Sequence, residues 1–207
     1  MTAVTIIGAG NLGGAVAALA AKAGAQVQVL ARDPEKAHTI AAPLGADAGT
    51  LGDHLTGDIV VLALPYHAVS AVLDTYAGAL AGKTLVDVTN PVDFATFDAL
   101  VVPADSSAAR IIQDAVPQAT VVKAFNTNFG ATLATGTAGP LATTVLIAGD
   151  DQAAKQAVAG LVTAGGLRAI DAGSLKRARE LEALGFLQLT LAAGGKTPWT
   201  GGFALVG

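Results

Sequence analysis

The sequence predicts an α/β fold of the Rossmann type, a doubly wound and mainly parallel sheet followed by a short C-terminal helical extension. Short continuous apolar runs alternate with Ala-rich helical stretches, a pattern typical of parallel strands buried on both faces. The first run ends in a glycine-rich turn that opens a helix. Apolar residues make up 52% of the 207 residues and charged residues 14%, which excludes an intrinsically disordered chain.

The apolar pattern and the turn residues give the elements in order. Predicted strands are Ala3–Gly8, Gln26–Ala31, Asp58–Leu64, Thr84–Val88, Thr120–Ala124, Thr143–Ala148 and Leu167–Ile170. Predicted helices are Asn11–Gly24, Pro34–Leu44 with Asp33 as N-cap, Tyr66–Leu80, Ser107–Val116, Asp150–Ala164 and Ser174–Ala193. Only Asn90–Ser106 forms a long irregular connection, and ordered loops of this kind are often functional.

Composition excludes several classes of function. The net charge of −4 with scattered Lys and Arg argues against a nucleic-acid partner. Because the chain has no cysteine, disulfides, thiolate catalysis and zinc–thiolate sites are excluded. The three histidines are far apart, so no metal site is expected. No signal peptide or membrane span is recognised, which predicts a cytoplasmic protein.

The glycine-rich turn has the G-x-G-x-x-G pattern of a dinucleotide site. Gly8 permits the tight turn, Gly10 lets the backbone approach a pyrophosphate, and Gly13 lets helix and strand pack closely. The helix that begins at Asn11 and Leu12 then offers backbone N–H donors to the phosphates. A glycine turn that binds nothing is the alternative.

The end of the second strand predicts NADP rather than NAD. An NAD site usually carries Asp or Glu there, whereas this chain has Ala31 and Arg32. A guanidinium suits a 2′-phosphate, and Lys36 could add a second charge. In the alternative, Arg32 and Lys36 are solvated surface charges and Asp33 binds the ribose.

Three further strand ends are expected to line the cofactor cleft, because ligands bind beyond the carboxyl ends of parallel strands. Thr89, Asn90 and Asn126 are candidates for the nicotinamide amide or ribose. Simpler readings stay open: a turn at Asn90, an Asx-type turn at Asn126, and a cap or exposed residue at His67. The strand ends are Leu64-Pro65-Tyr66-His67, Thr89-Asn90-Pro91 and Ala124-Phe125-Asn126-Thr127-Asn128.

Several segments together resemble the NADPH-dependent oxidoreductases of the deazaflavin (coenzyme F420) reductase family. The cytosolic reductase domain of STEAP-type ferric reductases is similar too. The likeness runs through about Leu191. The segments are Thr5–Gly14 (TIIGAGNLGG), Ala63–His67 (ALPYH), Asp87–Pro91 (DVTNP), Val122–Thr127 (VKAFNT) and Asp171–Leu184 (DAGSLKRARELEAL).

The resemblance implies a usually dimeric Rossmann protein that binds NADP(H). It assigns no catalytic residue, because hydride passes directly from the nicotinamide to a flat acceptor ring. The acceptor that it implies is a flavin or coenzyme F420. Asn90–Ser106 and the tail Lys196–Trp199 differ from the family, so quinone, carbonyl, imine or metal-chelate acceptors stay open. The implied cofactor residues are Gly8, Gly10, Asn11, Leu12, Gly13, Arg32 and Lys36, with Pro65 and His67 beside the phosphates and ribose, and Ala124, Phe125 and Asn126 on the nicotinamide side. Leu64 and Asn90 are added as cofactor-binding candidates from the strand ends.

Two other functions compete with this one. A non-catalytic NADP-binding sensor would keep the same nucleotide site. A dehydrogenase of the β-hydroxyacid or pyrroline-carboxylate reductase type would need a long helical substrate domain, which 207 residues hardly accommodate.

The C-terminal part predicts a homodimer. The second half of helix Ser174–Ala193 is apolar nearly all round, so one contact face cannot bury it. The tail Pro198–Val206 adds Trp199 and Phe203. We therefore divide the chain into an NADP-binding domain (1–170) and a dimerisation and cleft-covering part (171–207). The alternative is that the tail folds back within one chain.

Overall fold

A computed structural model describes residues 2–205; Val206, the last residue of the predicted tail, lies outside the described residues, as do residues 1 and 207. The strands are β1 (Ala3–Ile7), β2 (Gln26–Ala31), β3 (Asp47–Thr50), β4 (Ile59–Leu62), β5 (Thr84–Asp87), β6 (Thr120–Lys123), β7 (Thr137–Ala138), β8 (Leu141–Ala142), β9 (Thr144–Gly149) and β10 (Arg168–Gly173). The helices are α1 (Asn11–Lys22), α2 (Pro34–Ala41), α3 (Val69–Tyr76), α4 (Ala108–Ala115), α5 (Gly130–Thr135), α6 (Gln152–Ala164) and α7 (Ala178–Ala193), with short 3₁₀ turns before α3 and α7.

Eight strands form one sheet in the order β10-β9-β6-β5-β4-β1-β2-β3. The six strands β3-β2-β1-β4-β5-β6 are all parallel and have the Rossmann strand order. The structure therefore confirms the predicted mainly parallel, doubly wound sheet. Strand β9 departs from this pattern, because it pairs antiparallel with β6. Strand β10 in turn pairs parallel with β9.

Each face of the sheet carries its own apolar core. Successive strand residues point to opposite faces, so Ile6 lies in one core and Ile7 in the other. Helices α1 and α6 cover the first face, and α3 and α4 cover the second. Because both faces are covered, the ligand-binding surface left to such a sheet is the edge at the carboxyl ends of its strands.

Three small elements were not predicted from the sequence. Strand β3 is mostly exposed and has no apolar run, α5 has six residues, and the β7–β8 hairpin has two residues on each side. Strand β10 extends to Gly173, so the proposed boundary at residue 170 falls inside a strand, and the division into two parts stays a prediction. Within residues 2–205, no helix is both long and apolar enough to cross a membrane.

Candidate active site

The glycine turn links β1 to α1 and has the geometry that a dinucleotide site requires. Gly8 has φ +126°, and a Cβ there would lie 2.0 Å from the Ala63 carbonyl oxygen. A Cβ on Gly13 would lie 2.3 Å from the Gly8 carbonyl oxygen. A Cβ on Gly10 would meet nothing within 4 Å, so the space beside Gly10 can take a phosphate next to the first N–H groups of α1.

A cavity of about 320 Å³ lies on one side of this turn, over the end of β2. Arg32 and Lys36 line it, and both are exposed. Asp33 accepts a hydrogen bond from the Glu35 backbone N–H at 3.1 Å and is therefore the N-cap of α2. This contact favours the predicted role of Arg32 over the alternative in which Asp33 binds the ribose.

A second cavity of about 290 Å³ begins on the other side of the turn. The predicted residues Leu64, Pro65 and Asn90 line it together with the glycine turn. Thr89 is 3% exposed at its floor, and its Oγ1 has no hydrogen-bond partner among the described residues. A hydroxyl in that situation fits a polar group of a bound nicotinamide or ribose.

Asn90 and Asn126 form a reciprocal pair that also holds α7. The Asn90 Nδ2 donates to the Asn126 carbonyl oxygen at 2.8 Å. The Asn126 Nδ2 donates to Asn90 Oδ1 at 2.9 Å and to the Leu181 carbonyl oxygen at 2.8 Å. Gly185 lets α7 approach, because a Cβ there would lie 2.4 Å from Asn90 Oδ1. The two strand ends and α7 are thus fixed together.

Three of the predicted residues lie away from the cavity surfaces. Ala124 and Phe125 are 0% and 1% exposed and belong to the apolar core, so their side chains support the cleft from behind. If these two residues contact a cofactor, they do so through backbone atoms. His67 is exposed on the 3₁₀ turn between Pro65 and Ala68, which do line the 320 Å³ cavity.

A buried ionic cluster that was not predicted from the sequence lies behind the same strand ends. The Lys123 Nζ lies 2.8 Å from Asp87 Oδ2 and 2.9 Å from Glu182 Oε1. It also donates to the Thr89 carbonyl oxygen at 2.6 Å. Glu182 accepts from the backbone N–H groups of Ala108 and Ala109. The cluster connects β5, β6, α4 and α7 and fixes the backbone at Thr89.

Burial governs the electrostatics of this cluster. Desolvation raises the pKa of Glu182 above its usual range, although the Lys123 ammonium opposes that shift. Burial also raises the pKa of Tyr66, and the Glu182 and Asp87 carboxylates add to the rise. Two carboxyl groups share one ammonium, and the raised pKa means that Glu182 takes up a proton at a higher pH than an exposed glutamate does.

The tail returns to its own chain. The Trp199 ring lies 4.9 Å from the Phe129 ring, measured between centroids, and the Phe203 N–H donates to Gln188 Oε1 at 3.1 Å. The Arg168 Nη1 donates to the Leu205 carbonyl oxygen at 3.1 Å. These contacts agree with the alternative in which the tail folds back within one chain. The homodimer remains a prediction.

Comparison with known proteins identifies the family. Residues 3–91 match the family model for coenzyme F420-dependent NADP oxidoreductases. The F420-dependent NADP reductase of Methanothermobacter marburgensis is 30% identical over 204 residues, which cover 89% of this chain and 89% of that protein. The chain belongs to the F420-dependent NADP reductase family. It is therefore an NADP-dependent oxidoreductase, and the non-catalytic alternative loses its support.

Other relatives agree with this assignment. The F420-dependent NADP reductase of Methanocaldococcus jannaschii is 33% identical over 149 residues, covering 70% of this chain and 66% of that protein. A crystal structure of a candidate F420-dependent NADP reductase from Arthrobacter sp. FB24 superposes with a TM-score of 0.87 at 28% identity, over all of both chains. Metalloreductase STEAP3 of Rattus norvegicus is 32% identical over 87% of this chain, which spans only 36% of that longer protein.

Two residues of the buried cluster can be identified from a signal in the sequence. Asp87 and Lys123 are charged residues at the ends of two apolar runs, and they are register partners in adjacent strands. Paired charges at such positions indicate a buried ion pair. Glu182 gave no comparable signal, because a glutamate on a helix is ordinarily a solvated residue.

Proposed function

We propose that the protein transfers hydride between NADP(H) and a flavin-like or deazaflavin acceptor such as coenzyme F420. The observation that carries the NADP part is the end of β2, where Arg32 and Lys36 line the 320 Å³ cavity while Asp33 caps α2. A guanidinium and an ammonium at that place suit the 2′-phosphate.

The chain's own residues bind, orient and shield the reactants. Gly10 and the first turn of α1 receive the pyrophosphate, and Thr89 Oγ1 offers a hydrogen bond at the nicotinamide end. NADPH, when bound, supplies a hydride with its electron pair, so that NADP⁺ is released while the acceptor ring is reduced and takes a solvent proton. Positioning of the two rings supplies the catalysis that such a reaction needs.

The acceptor is tested by following loss of the reduced nicotinamide absorbance with a panel of acceptors. The panel contains oxidised coenzyme F420, FMN, riboflavin, a benzoquinone, an aldehyde and a cyclic imine. We expect the highest kcat/KM with coenzyme F420 or a flavin. Oxidation driven only by the quinone, the aldehyde or the imine would contradict the proposal, as would no oxidation at all.

We also propose a homodimer formed by the C-terminal part. Leu187 on α7 and Phe203 in the tail remain 49% and 45% exposed, which leaves apolar surface for a second copy. Light scattering after size exclusion should give twice the chain mass of 20.3 kDa. A single-chain mass at micromolar concentration would contradict this proposal.

A further inference from the structure

The 320 Å³ cavity over the end of β2 has an apolar part as well as a charged part. Arg32 and Lys36 line the charged part, beside which the 2′-phosphate of NADP(H) lies in the proposed function. The base of the cofactor is bonded to the ribose that carries this phosphate, so the base lies in the same cavity. We call the apolar part the base pocket, and its residues are Leu30, Leu51, Ala71 and Val72.

One wall of the base pocket is formed by a β-turn that follows strand β3. This turn, which we call the wall turn, spans Thr50–Asp53, and Leu51 is its second residue. The Asp53 N–H donates to the Thr50 carbonyl oxygen at 3.0 Å, and the Thr50 N–H donates to Asp53 Oδ2 at 2.7 Å. Gly52, the third residue, has φ +106°, a positive value that a type II turn requires at this position. These features fix the shape of the wall turn but not its distance from α3, which also lines the base pocket.

Tyr76, the last residue of α3, connects the wall turn to that helix. Its hydroxyl oxygen accepts a hydrogen bond from the Gly52 backbone N–H at 2.7 Å. Among residues 2–205, this is the one hydrogen bond that joins the wall turn to α3. Tyr76 is 4% exposed and belongs to the second core, so packing fixes the position of its hydroxyl. Because Ala71 and Val72 lie on the same helix, the hydrogen bond links two walls of the base pocket.

The wall turn has few other attachments. It follows the edge strand of the sheet, which is mostly exposed, and Gly52 and Asp53 are exposed as well. The Leu51 N–H donates to the Ala31 carbonyl oxygen at 2.9 Å, which joins the wall turn to β2. Burial raises the pKa of the Tyr76 hydroxyl above its usual range, so a neutral hydroxyl accepts the hydrogen bond from Gly52. Without that hydroxyl the wall turn stays bonded to β2 and loses its bond to α3.

We propose that Tyr76 is a positioning residue for NADP(H): through the wall turn, its hydroxyl sets the width of the base pocket and thereby the affinity for the adenosine half of the cofactor. This inference rests on the NADP part of the proposed function. Tyr76 does not line the cavity, so it acts through Gly52 and Leu51 and not by touching the cofactor. Its contribution is to binding, and an interaction made equally in the ground state and the transition state changes KM and not kcat.

Tyr76→Phe tests this role, because phenylalanine keeps the ring in the core and removes the hydrogen-bond acceptor. Titration calorimetry measures the Kd of the intact protein for 2′,5′-ADP, which contains the adenosine half of NADP(H) and no nicotinamide. We expect the variant to raise this Kd about fivefold, the worth of one neutral hydrogen bond. With the acceptor that gives the highest kcat/KM, the KM for NADPH should rise by a similar factor while kcat stays unchanged.

Two further variants separate this role from a general loss of stability. Val158→Ala is the control, because Val158 is 0% exposed in the first core and does not line the cavity. It should lower the Tm and leave the Kd for 2′,5′-ADP unchanged. Leu51→Ala shortens the wall and should itself raise that Kd. Adding Tyr76→Phe to Leu51→Ala should then raise the Kd by less than about twofold, because two changes that act through one element are not additive.

Hydrogen exchange of the Gly52 amide, followed by NMR, tests the contact itself. In the wild-type protein this amide should be protected from exchange although Gly52 is exposed. Tyr76→Phe should speed its exchange about fivefold through loss of the same hydrogen bond, while the amides of α6 keep their rates. If circular dichroism shows that Tyr76→Phe does not fold, the wild-type measurement still decides, since an unprotected Gly52 amide overturns the link to Tyr76.

The outcomes distinguish this inference from the proposed function. An unchanged Kd for 2′,5′-ADP in Tyr76→Phe, or an equal rise in Val158→Ala, overturns the role of Tyr76 while the proposed function stands. An undiminished effect of Tyr76→Phe in the Leu51→Ala background overturns the wall turn as the connection. Failure of every acceptor in the panel overturns the proposed hydride transfer but leaves the calorimetric result for Tyr76 valid. Failure of the wild-type protein to bind both 2′,5′-ADP and NADPH overturns the NADP part of the proposed function and this inference with it.

Discussion

Lys123→Met removes the ammonium from the buried cluster while keeping an unbranched apolar chain of similar length. In the wild-type protein the Lys123 Nζ lies 2.8 Å from Asp87, 2.9 Å from Glu182 and 2.6 Å from the Thr89 carbonyl oxygen. All three charged side chains are at most 1% exposed. The variant therefore leaves two carboxylates in the protein interior without their counter-charge.

The expected loss of stability is large. Removing one partner of a buried ion pair costs about 3–5 kcal/mol. A domain of this size changes its Tm by roughly 2–4 °C per kcal/mol, which predicts a fall of roughly 6–20 °C. Lys176→Met is the matched control, because Lys176 is exposed, and its substitution should stay within about 0.5 kcal/mol.

Glu182→Gln in the Lys123→Met background tests the cause. The glutamine oxygen can still accept from the Ala108 N–H, while its NH2 group takes the place of the oxygen that accepts from Ala109, and one unpaired charge is removed. We expect the double variant to recover about 1–3 kcal/mol relative to Lys123→Met. Denaturant unfolding followed by circular dichroism measures both steps. Two results would refute the electrostatic reasoning. One is a stability loss below about 1 kcal/mol in Lys123→Met, and the other is a loss in the double variant equal to the sum of the losses in Lys123→Met and in Glu182→Gln alone.

Three further predictions concern the cleft and the sheet edge. Arg32→Ala should lower the preference for NADPH over NADH at least about tenfold, since each charge-assisted hydrogen bond is worth about 1.5–3 kcal/mol; fluorescence titration with both nucleotides measures it, and equal binding by the wild type would contradict it. Gly185→Ala should destabilise the fold by about 1–3 kcal/mol and weaken NADPH binding, because its methyl group would lie 2.4 Å from Asn90 Oδ1; Gly160→Ala, whose Cβ meets nothing within 4 Å, is the control. Hydrogen bonds from Lys155 lower the pKa of Asp171 below the usual value of an aspartate, so the stability that the carboxylate adds is present above that usual value and is lost as the pH falls through the lowered pKa; the Tm difference between wild type and Asp171→Asn should therefore be positive at neutral pH and vanish in acid, and a constant difference would contradict this.

The main architecture was predictable because each parallel strand is buried on both faces. Strands such as β1 and β4 are continuous apolar runs, and glycine motifs mark the turn where a dinucleotide binds. Asp33 was identified as an N-cap from its place before Pro34, and the structure shows that contact. These features are local in sequence, so the sequence pattern contains them.

The parts that were missed depend on contacts between distant segments. The antiparallel pairing of β9 with β6 follows from where the chain goes after the β7–β8 hairpin, and no strand pattern encodes its direction. Ala124 and Phe125 were assigned to the nicotinamide side, yet Phe125, with φ +64°, turns its ring into the core. A positive φ at a non-glycine residue depends on the surrounding packing, and the apolar periodicity of the sequence does not predict it.

Helix α7 contributes residues to the candidate active site, so the C-terminal part of the chain belongs to that site. Glu182 forms an ion pair with the buried Lys123 ammonium, and Gly185 leaves room for the Asn90 side chain. Gln188 accepts a hydrogen bond from the tail, and Leu189 lines the 290 Å³ cavity. Glu182, Gly185 and Gln188 are three residues apart and Leu189 is four residues after Gly185, so these positions lie along one helix face. That face carries polar, small and apolar residues in turn, and the apolar character of the helix alone therefore predicted a dimer surface and a cleft cover but not these individual contacts. The same face connects the buried charge cluster to the 290 Å³ cavity, and changes at either end of it should therefore affect the other.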